Sequence, residues 1–278
     1  MTRPLSPRIS PRKSLGQNFL RDENIAGKIV AAIRPEPHDV LLEIGPGEGA
    51  LTRHLAACGA TLIVIDLDPR VVHAMHAMFP EGIVRVMEGD FLQTDLPALA
   101  AVHGRPLRVV GNIPYNITSP ILFHVLDHRQ AIADLTIMVQ KEVAARIVAR
   151  PGSADYGILS VMCGYCAEPA LLFDVSPDAF FPRPKVTSSV LRLRMQSGPA
   201  IPARDERFFR AMVRSVFGKR RKTLRNSLAY FTAAEGMELP ALSGMTRRPE
   251  ELSVEELVDL SNTLLQSMTD RTKGRSRE

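Results

Sequence analysis

The chain has 278 residues, 45% of them hydrophobic, which suffices for one large domain or for a domain with a smaller companion. A formal net charge of +5 favours a polyanionic partner. Cys58, Cys163 and Cys166 are too few and too odd for a disulfide framework; no apolar run reaches membrane-spanning length and none near the start resembles a signal peptide, so no membrane partner and a cytoplasmic location are expected.

Residues 1–12 hold Arg3, Arg8 and Arg12 among prolines, with no acid. A disordered basic arm able to touch phosphates is expected there. Lys13–Leu20 reads as loop. Asp22 is placed to cap a helix running to about Ile33, with Ile25, Ile29, Ala32 and Ile33 on one face. Val40–Ile44 is an apolar strand, followed by Gly45-Pro46-Gly47-Glu48-Gly49 and a helix from Ala50 to Ala57. Glycines let backbone approach a ligand closely. The spacing is not the G-x-G-x-x-G of dinucleotide binders, and Glu43 at the strand end would repel a pyrophosphate. A ligand with an amino group and no phosphate suits this turn better, such as the methionine end of S-adenosylmethionine.

Thr61–Asp66 is a second strand. Asp66 lies about twenty residues beyond the first glycine, where α/β nucleoside sites place an acid for ribose hydroxyls. Asp68 competes, but Asp66 closes the apolar run directly. Pro69 opens the next helix. Ile83–Met87 is a third strand, and Gly89-Asp90-Phe91 follows it. Asp90 could accept a hydrogen bond from an adenine amine, with an apolar neighbour against the ring.

Leu107–Val110 is a fourth strand and delivers Gly111-Asn112-Ile113-Pro114-Tyr115; Thr118-Ser119-Pro120 then reads as a helix start with a capping hydroxyl. The carboxyl edge of an open α/β sheet is where ligands bind. Pro114 stiffens this loop and pushes Ile113 into an extended conformation. The Asn112 amide oxygen and a backbone carbonyl suit the two hydrogens of an exocyclic amine, and the Tyr115 ring suits the face of a base.

Ala133–Gln140 is strand-like, Lys141–Val148 helical, Pro151-Gly152-Ser153 a linker, and Tyr156–Cys166 a further helix. Cys163 and Cys166 sit among apolar neighbours with no second pair, which predicts core packing. His124 and His128 have metal-ligand spacing, but Val125 stands where a zinc protease has Glu, so a helix surface and no metal are expected. Segments 170–175 and 188–193 suit an antiparallel pair. The stiff loop between them, Phe180-Phe181-Pro182-Arg183-Pro184-Lys185-Val186, could place an aromatic ring opposite Tyr115, with Arg183 and Lys185 near phosphates.

Beyond Gly198-Pro199 the pattern is helical. Phe208, Phe209, Met212, Val213, Val216 and Phe217 form one stripe. The densest basic run follows, with Lys219, Arg220, Arg221, Lys222 and Arg225, and it suits phosphates. A last helix is expected from Val254 to Met268, with a fraying tail.

Together the GQNFL, EIGPG, GD, NIPY, FxPxPKV and RRKTLRNSL segments make the chain, from Lys13 to Asn262, resemble the rRNA adenine N6-dimethyltransferase family. The last segment points to its bacterial small-subunit branch. The resemblance implies a seven-stranded, mostly parallel Rossmann-like class I methyltransferase sheet over residues 13–198 and a small all-α domain over 199–278. It implies S-adenosylmethionine as donor, with Asn18, Leu20, Gly45, Asp66, Asp90 and Asn112 at the matching positions, beside Glu43 and Gly47 from the turn itself. Many relatives carry Glu where this chain has Asp66. It further implies two adjacent adenines near the 3′ end of small-subunit rRNA as targets, each methylated twice by a monomer on the assembling 30S particle. Asn112, Ile113, Pro114, Tyr115 and Phe180 would serve that reaction, with Phe180 stacking on the extruded base. A large-subunit rRNA or DNA adenine methylase, or a non-catalytic assembly factor on the same scaffold, are the alternatives.

Overall fold

The computed structural model describes residues 8–275 except 81, 197, 199–200, 220–221, 237–238 and 241–243, with side chains described as far as Ser267. In chain order the regular elements are β1 (Phe19–Leu20), α1 (Glu23–Ile33), β2 (Val40–Ile44), α2 (Ala50–Ala56), β3 (Thr61–Asp66), α3 (Pro69–Met78), β4 (Val84–Glu88), α4 (Leu96–His103), β5 (Leu107–Asn112), α5 (Thr118–Asp127), β6 (Ile132–Gln140), α6 (Lys141–Ile147), α7 (Ile158–Cys166), β7 (Ala167–Val175), β8 (Phe180–Phe181), β9 (Ser188–Met195), α8 (Glu206–Phe217), α9 (Leu224–Ala234) and α10 (Val254–Arg275). None of the described helices is long and apolar enough to cross a membrane.

The chain divides into two compact units, 1–144 with 168–195, and 145–167 with 196–278. The boundary expected at residue 198 therefore shifts, because 145–167 joins the helical unit. The cause is apolar: α7 buries Val161, Met162, Cys163, Tyr165 and Cys166. The Tyr165 ring lies 4.9 Å from that of Phe209 on α8.

The first unit is built on a seven-stranded sheet of order β4-β3-β2-β5-β6-β9-β7. Strands β4 through β6 are parallel, and β9 runs antiparallel to β6. Every residue of β2 is buried, as expected of a central parallel strand covered on both faces. The chain winds outward from β2 to β3 and β4, then returns to the other side of β2 as β5. This reversal opens a crevice at the carboxyl ends of β2 and β5. Ile44 lies opposite Gly111, so Gly45 and Asn112 leave the sheet side by side.

Asp22 caps α1 as its position suggests, accepting from Asn24 N and Ile25 N. Thr118 does not cap α5. The helix begins at Thr118 itself after a 3-10 turn over Tyr115–Ile117, and the Thr118 hydroxyl is buried without a partner among the described residues. Residues 1–7 of the expected arm lie outside the described residues. Residues 8–12 are not a free arm: Ile9 is buried in the apolar core, and its N–H donates to Glu48 Oε1 at 3.1 Å. A single apolar side chain within a basic stretch anchors it.

At the opposite edge of the sheet, Arg108 gathers several chain segments. It donates to Asp134 Oδ2 at 2.9 Å, to Asp39 Oδ2 at 2.5 Å and to the Ile33 carbonyl at 2.6 Å. Removing the guanidinium strands two carboxylates, both mostly buried. Arg108→Met is expected to destabilise the protein by about 3 kcal/mol. A lowered urea midpoint at unchanged slope would show it.

The second unit packs α7, α8, α9 and α10. The predicted stripe is its core, with Phe209, Met212, Val213, Val216 and Phe217 buried alongside Leu257 and Leu264. Cys163 and Cys166 are free and buried, and burial pushes the Cys163 thiol up to about 12, so Cys163 is not a reactive or ligating thiolate. Helix α10 continues to Arg275, past the end expected at Met268.

Candidate active site

The tips of β2, β3, β4 and β5, together with the segment Leu15–Leu20, line a cavity of about 150 Å³ in the first unit. Strand β2 supplies Glu43, and the turn after it supplies Gly45, Pro46, Gly47 and Glu48. Gly47 has φ +56°, and a Cβ there would lie 2.8 Å from the Phe19 ring. Glycine is required because the turn is left-handed and Phe19 closes directly over it.

Glu43 is 2% exposed, and its Oε2 has no hydrogen-bond partner among the described residues. Burial pushes its carboxyl up to about 8, and the charge of Asp66 adds to the shift. Asp66 also lines the cavity, and burial raises its carboxyl to about 6. Asp68 does not line it. That carboxylate caps α3 by accepting from Arg70 N, and accepts from Gln17 Nε2 at 3.1 Å, while the Arg70 guanidinium holds it down at about 2. The preference for Asp66 over Asp68 thus agrees with which acid faces the cavity.

Asp90 stands at the cavity beyond β4, where its Oδ1 accepts from Leu92 N and shapes a 3-10 turn over Phe91–Gln93. Phe91 lines the cavity and meets the His124 ring edge-on at 5.3 Å. His124 in turn lies 4.7 Å from the His128 ring and 3.2 Å from the Thr94 carbonyl through Nε2. His124 thus packs behind a cavity-lining ring, and both histidines are only partly exposed. No metal-binding cluster occurs among the described residues.

Asn112 ends β5. Its Nδ2 donates to the Asn18 carbonyl at 2.9 Å. That bond uses the donor end of the amide and leaves Oδ1 as its acceptor, on a residue that lines the cavity. Asn18, Leu20, Ile113, Pro114 and Tyr115 line the same space. The Tyr115 hydroxyl lies 2.6 Å from Ser188 Oγ.

Phe180 is the exception among the expected catalytic residues. It does not line the cavity; it is buried in the apolar core across from Leu20 in the short β1–β8 pairing. Phe181 is the exposed ring of this loop, 46% accessible, with the Arg21 guanidinium 4.0 Å from its centroid. Adjacent strand residues face opposite sides, so the pairing that buries Phe180 turns Phe181 outward.

Arg183 and Lys185 are exposed, and Arg183 lies 3.2 Å from Asp178. In the second unit Lys219, Lys222 and Arg225 are exposed, with Lys219 Nζ 4.3 Å from the Tyr230 ring. Arg220 and Arg221 lie outside the described residues. Glu48 was not legible as a clasp from sequence: it receives Arg21 through two 3.0 Å bonds as well as the Ile9 N–H. A buried acid in a glycine turn was the available signal.

A switch-point crevice lined by acidic strand tips, a glycine turn and an asparagine–proline–tyrosine loop defines a Rossmann-like methyltransferase. The chain belongs to the Ribosomal RNA adenine dimethylase family, whose profile matches residues 9–266. It is 46% identical over 263 residues to Ribosomal RNA small subunit methyltransferase A of Chromohalobacter salexigens, covering 92% of each chain. Against the protein of the same name from Laribacter hongkongensis it is 44% identical over 252 residues, covering 91% of this chain and 95% of the other. Among solved structures, a dimethyladenosine transferase from Plasmodium falciparum superposes with a TM-score of 0.72 at 23% identity, over 87% of this chain and 95% of that one. The 23S rRNA methyltransferase ErmE superposes with a TM-score of 0.64 at 28% identity, over 87% and 98%.

Proposed function

We propose that this protein transfers methyl groups from S-adenosylmethionine to N6 of two adjacent adenines near the 3′ end of small-subunit rRNA, giving N6,N6-dimethyladenosine. The observation that carries the reading is Asn112 itself, which lines the cavity while the donor end of its amide is taken up by the Asn18 carbonyl.

The residues present fit the donor. A buried carboxylate oxygen without a partner asks for a cationic or donor group, and Glu43 Oε2 would meet the ammonium of the methionine end. Asp66 would accept from ribose hydroxyls, Asp90 from the adenine amine, and Phe91 would lie against the ring. Gly45 and Gly47 would admit the methionine end close to backbone, beside Asn18 and Leu20. When bound, S-adenosylmethionine supplies an electrophilic methyl group for direct displacement.

The target amine is a poor nucleophile because its lone pair is delocalised into the purine. Asn112 Oδ1 and the Ile113 carbonyl accept its hydrogens and favour a pyramidal nitrogen as positive charge develops. Pro114 keeps the two acceptors in fixed relation. Tyr115 stacks on the base and holds the direction of attack. No side-chain base is needed, because the alkylated amine loses its proton to water. Phe180 supports Leu20 from within the core. Arg183, Lys185, Lys219, Lys222 and Arg225, with Arg220 and Arg221, are assigned to rRNA phosphates of the assembling small subunit. The first unit is the catalytic body, and the chain acts as a monomer.

Mass spectrometry of rRNA from unmethylated small subunits, incubated with protein and donor, tests this reading. Two dimethyladenosines in small-subunit rRNA are expected; methylation confined to large-subunit rRNA or to DNA would overturn it.

Donor affinity has a pH signature. Asp66 binds ribose as a carboxylate, and its acid form persists up to about 6. Protonation competes with binding below that point. Protonation of Glu43, whose acid form persists up to about 8, competes in the same way. Affinity is therefore expected to fall about tenfold per pH unit below 8, to fall more steeply below 6 where Asp66 also protonates, and to level off only above 8, as calorimetry would record. Asp66→Asn should remove the steeper limb below 6 and leave the Glu43 limb in place.

A further inference from the structure

Tyr115 hangs from β5 on a 3-10 turn, directly after Pro114. Its ring stands at the cavity, and its hydroxyl is hydrogen-bonded to Ser188 Oγ at 2.6 Å. Ser188 is fully buried and is the first residue of β9. Both of its flanks are pinned. It lies opposite Gln140 in the β6–β9 register. The Thr187 carbonyl before it accepts from Lys141 N at 3.0 Å, and Ser189 after it donates to Asp174 Oδ1 at 2.7 Å. Asp174 in turn accepts from Lys141 Nζ at 2.5 Å. Ser188 therefore presents its hydroxyl from a rigid sheet position.

We propose that Ser188 is a positioning residue for the methyl transfer, acting through the Tyr115 hydroxyl to fix the plane of the ring on which the target adenine stacks. The inference rests on the base-stacking role given to Tyr115 above. A tyrosine ring held only by its own side-chain torsions can swing, and the base would swing with it. In-line displacement tolerates little angular error, so a misplaced base lowers the rate without weakening donor binding. A second tether at the far end of the ring removes that freedom. Ser188 is also where the Phe180–Thr187 loop rejoins the sheet, so the tether registers the ring against the loop that carries Arg183 and Lys185. The same bond takes up the Tyr115 hydroxyl. Burial holds that phenol above its ordinary range, so it remains neutral and serves the ring's position, not proton transfer.

Tyr115→Phe removes one hydroxyl and keeps the ring; Ser188→Ala removes the other. Single-turnover methylation of unmethylated small subunits is measured for each single variant and for the double variant, using the full chain at saturating S-adenosylmethionine. Each single change is expected to slow transfer about tenfold. The double variant should be no slower than the slower single, because either change deletes the same contact. Donor affinity by calorimetry and the thermal midpoint should stay at their parent values in all three. Losses that multiply in the double variant would overturn the proposal. So would a Ser188→Ala protein whose slower rate is matched by weaker donor binding and a lowered midpoint, since that marks a role in the sheet alone. Tyr115→Ala separates the two levels. If it methylates at the parent rate, the stacking role itself is wrong; if it is inactive while Ser188→Ala is unimpaired, only the tether is wrong.

Discussion

Asn112→Ala is expected to slow methyl transfer by roughly 10²–10³-fold while leaving donor affinity within a few-fold of the parent. The side-chain oxygen is one of two acceptors assigned to the target amine, and its contribution grows as charge develops on that nitrogen. Donor binding draws mainly on Glu43, Asp66, Asp90 and the glycine turn, which the substitution does not touch. Single-turnover rates and calorimetry on the same preparation separate the two effects. Equal loss of both would refute the role. Asn112→Asp sharpens the test. A carboxylate keeps the acceptor but cannot donate to the Asn18 carbonyl, which now lies 2.9 Å from Asn112 Nδ2. Both substitutions lose the tie from β5 to the segment over the cavity, but in Asn112→Asp two oxygens facing each other at that range also repel and push the segment away. Asn112→Asp should therefore weaken donor binding more than Asn112→Ala does, despite being closer in shape.

Gly111→Ala is expected to damage donor binding, transfer and stability together. A Cβ at Gly111 would lie 2.6 Å from the Ile44 carbonyl oxygen and 3.3 Å from Ile113 Cγ2. The first is backbone of the neighbouring strand and cannot rotate away. Relief requires β2 and β5 to separate at the point where Gly45 and Asn112 emerge. Overpacking of this kind costs about 1–3 kcal/mol. Its geometric consequence is larger, because the donor cradle and the amine acceptors sit on opposite sides of that gap. Urea unfolding, calorimetry and single-turnover rates should all report the change. A stable Gly111→Ala protein with parent activity would show that the strand register is not what aligns the site.

Much of the site could be read along the chain because its parts are local. Val40–Ile44 and Thr61–Asp66 announce themselves as apolar runs, and the acids at or beside their ends, Glu43 and Asp66, stand at strand tips in any parallel sheet. Asp22 before α1 and Pro69 at the start of α3 are capping signals carried within a few residues. The stiff Asn112–Tyr115 loop was legible because proline acts on its own and its neighbour's torsions. The helix start expected at Thr118-Ser119-Pro120 holds, but its capping hydroxyl does not, because the 3-10 turn over Tyr115–Ile117 places Ile117 at the cap position. Phe180 and Phe181 are adjacent aromatics with the same local signal. Which one turns inward depends on pairing with Phe19 and Leu20, far away in sequence.

The residues alone therefore settled the α/β alternation, the three acidic tips, the glycine turn and the amide loop, because each follows from torsions and periodicity within one short segment. Pairing settled the rest. The sheet order set Gly45 beside Asn112, the buried Ile9 drew the basic arm onto Glu48, apolar contact moved 145–167 into the helical unit, and β9 brought Ser188 to Tyr115. Each of these joins groups tens of residues apart whose energies exist only once both are desolvated in the same place.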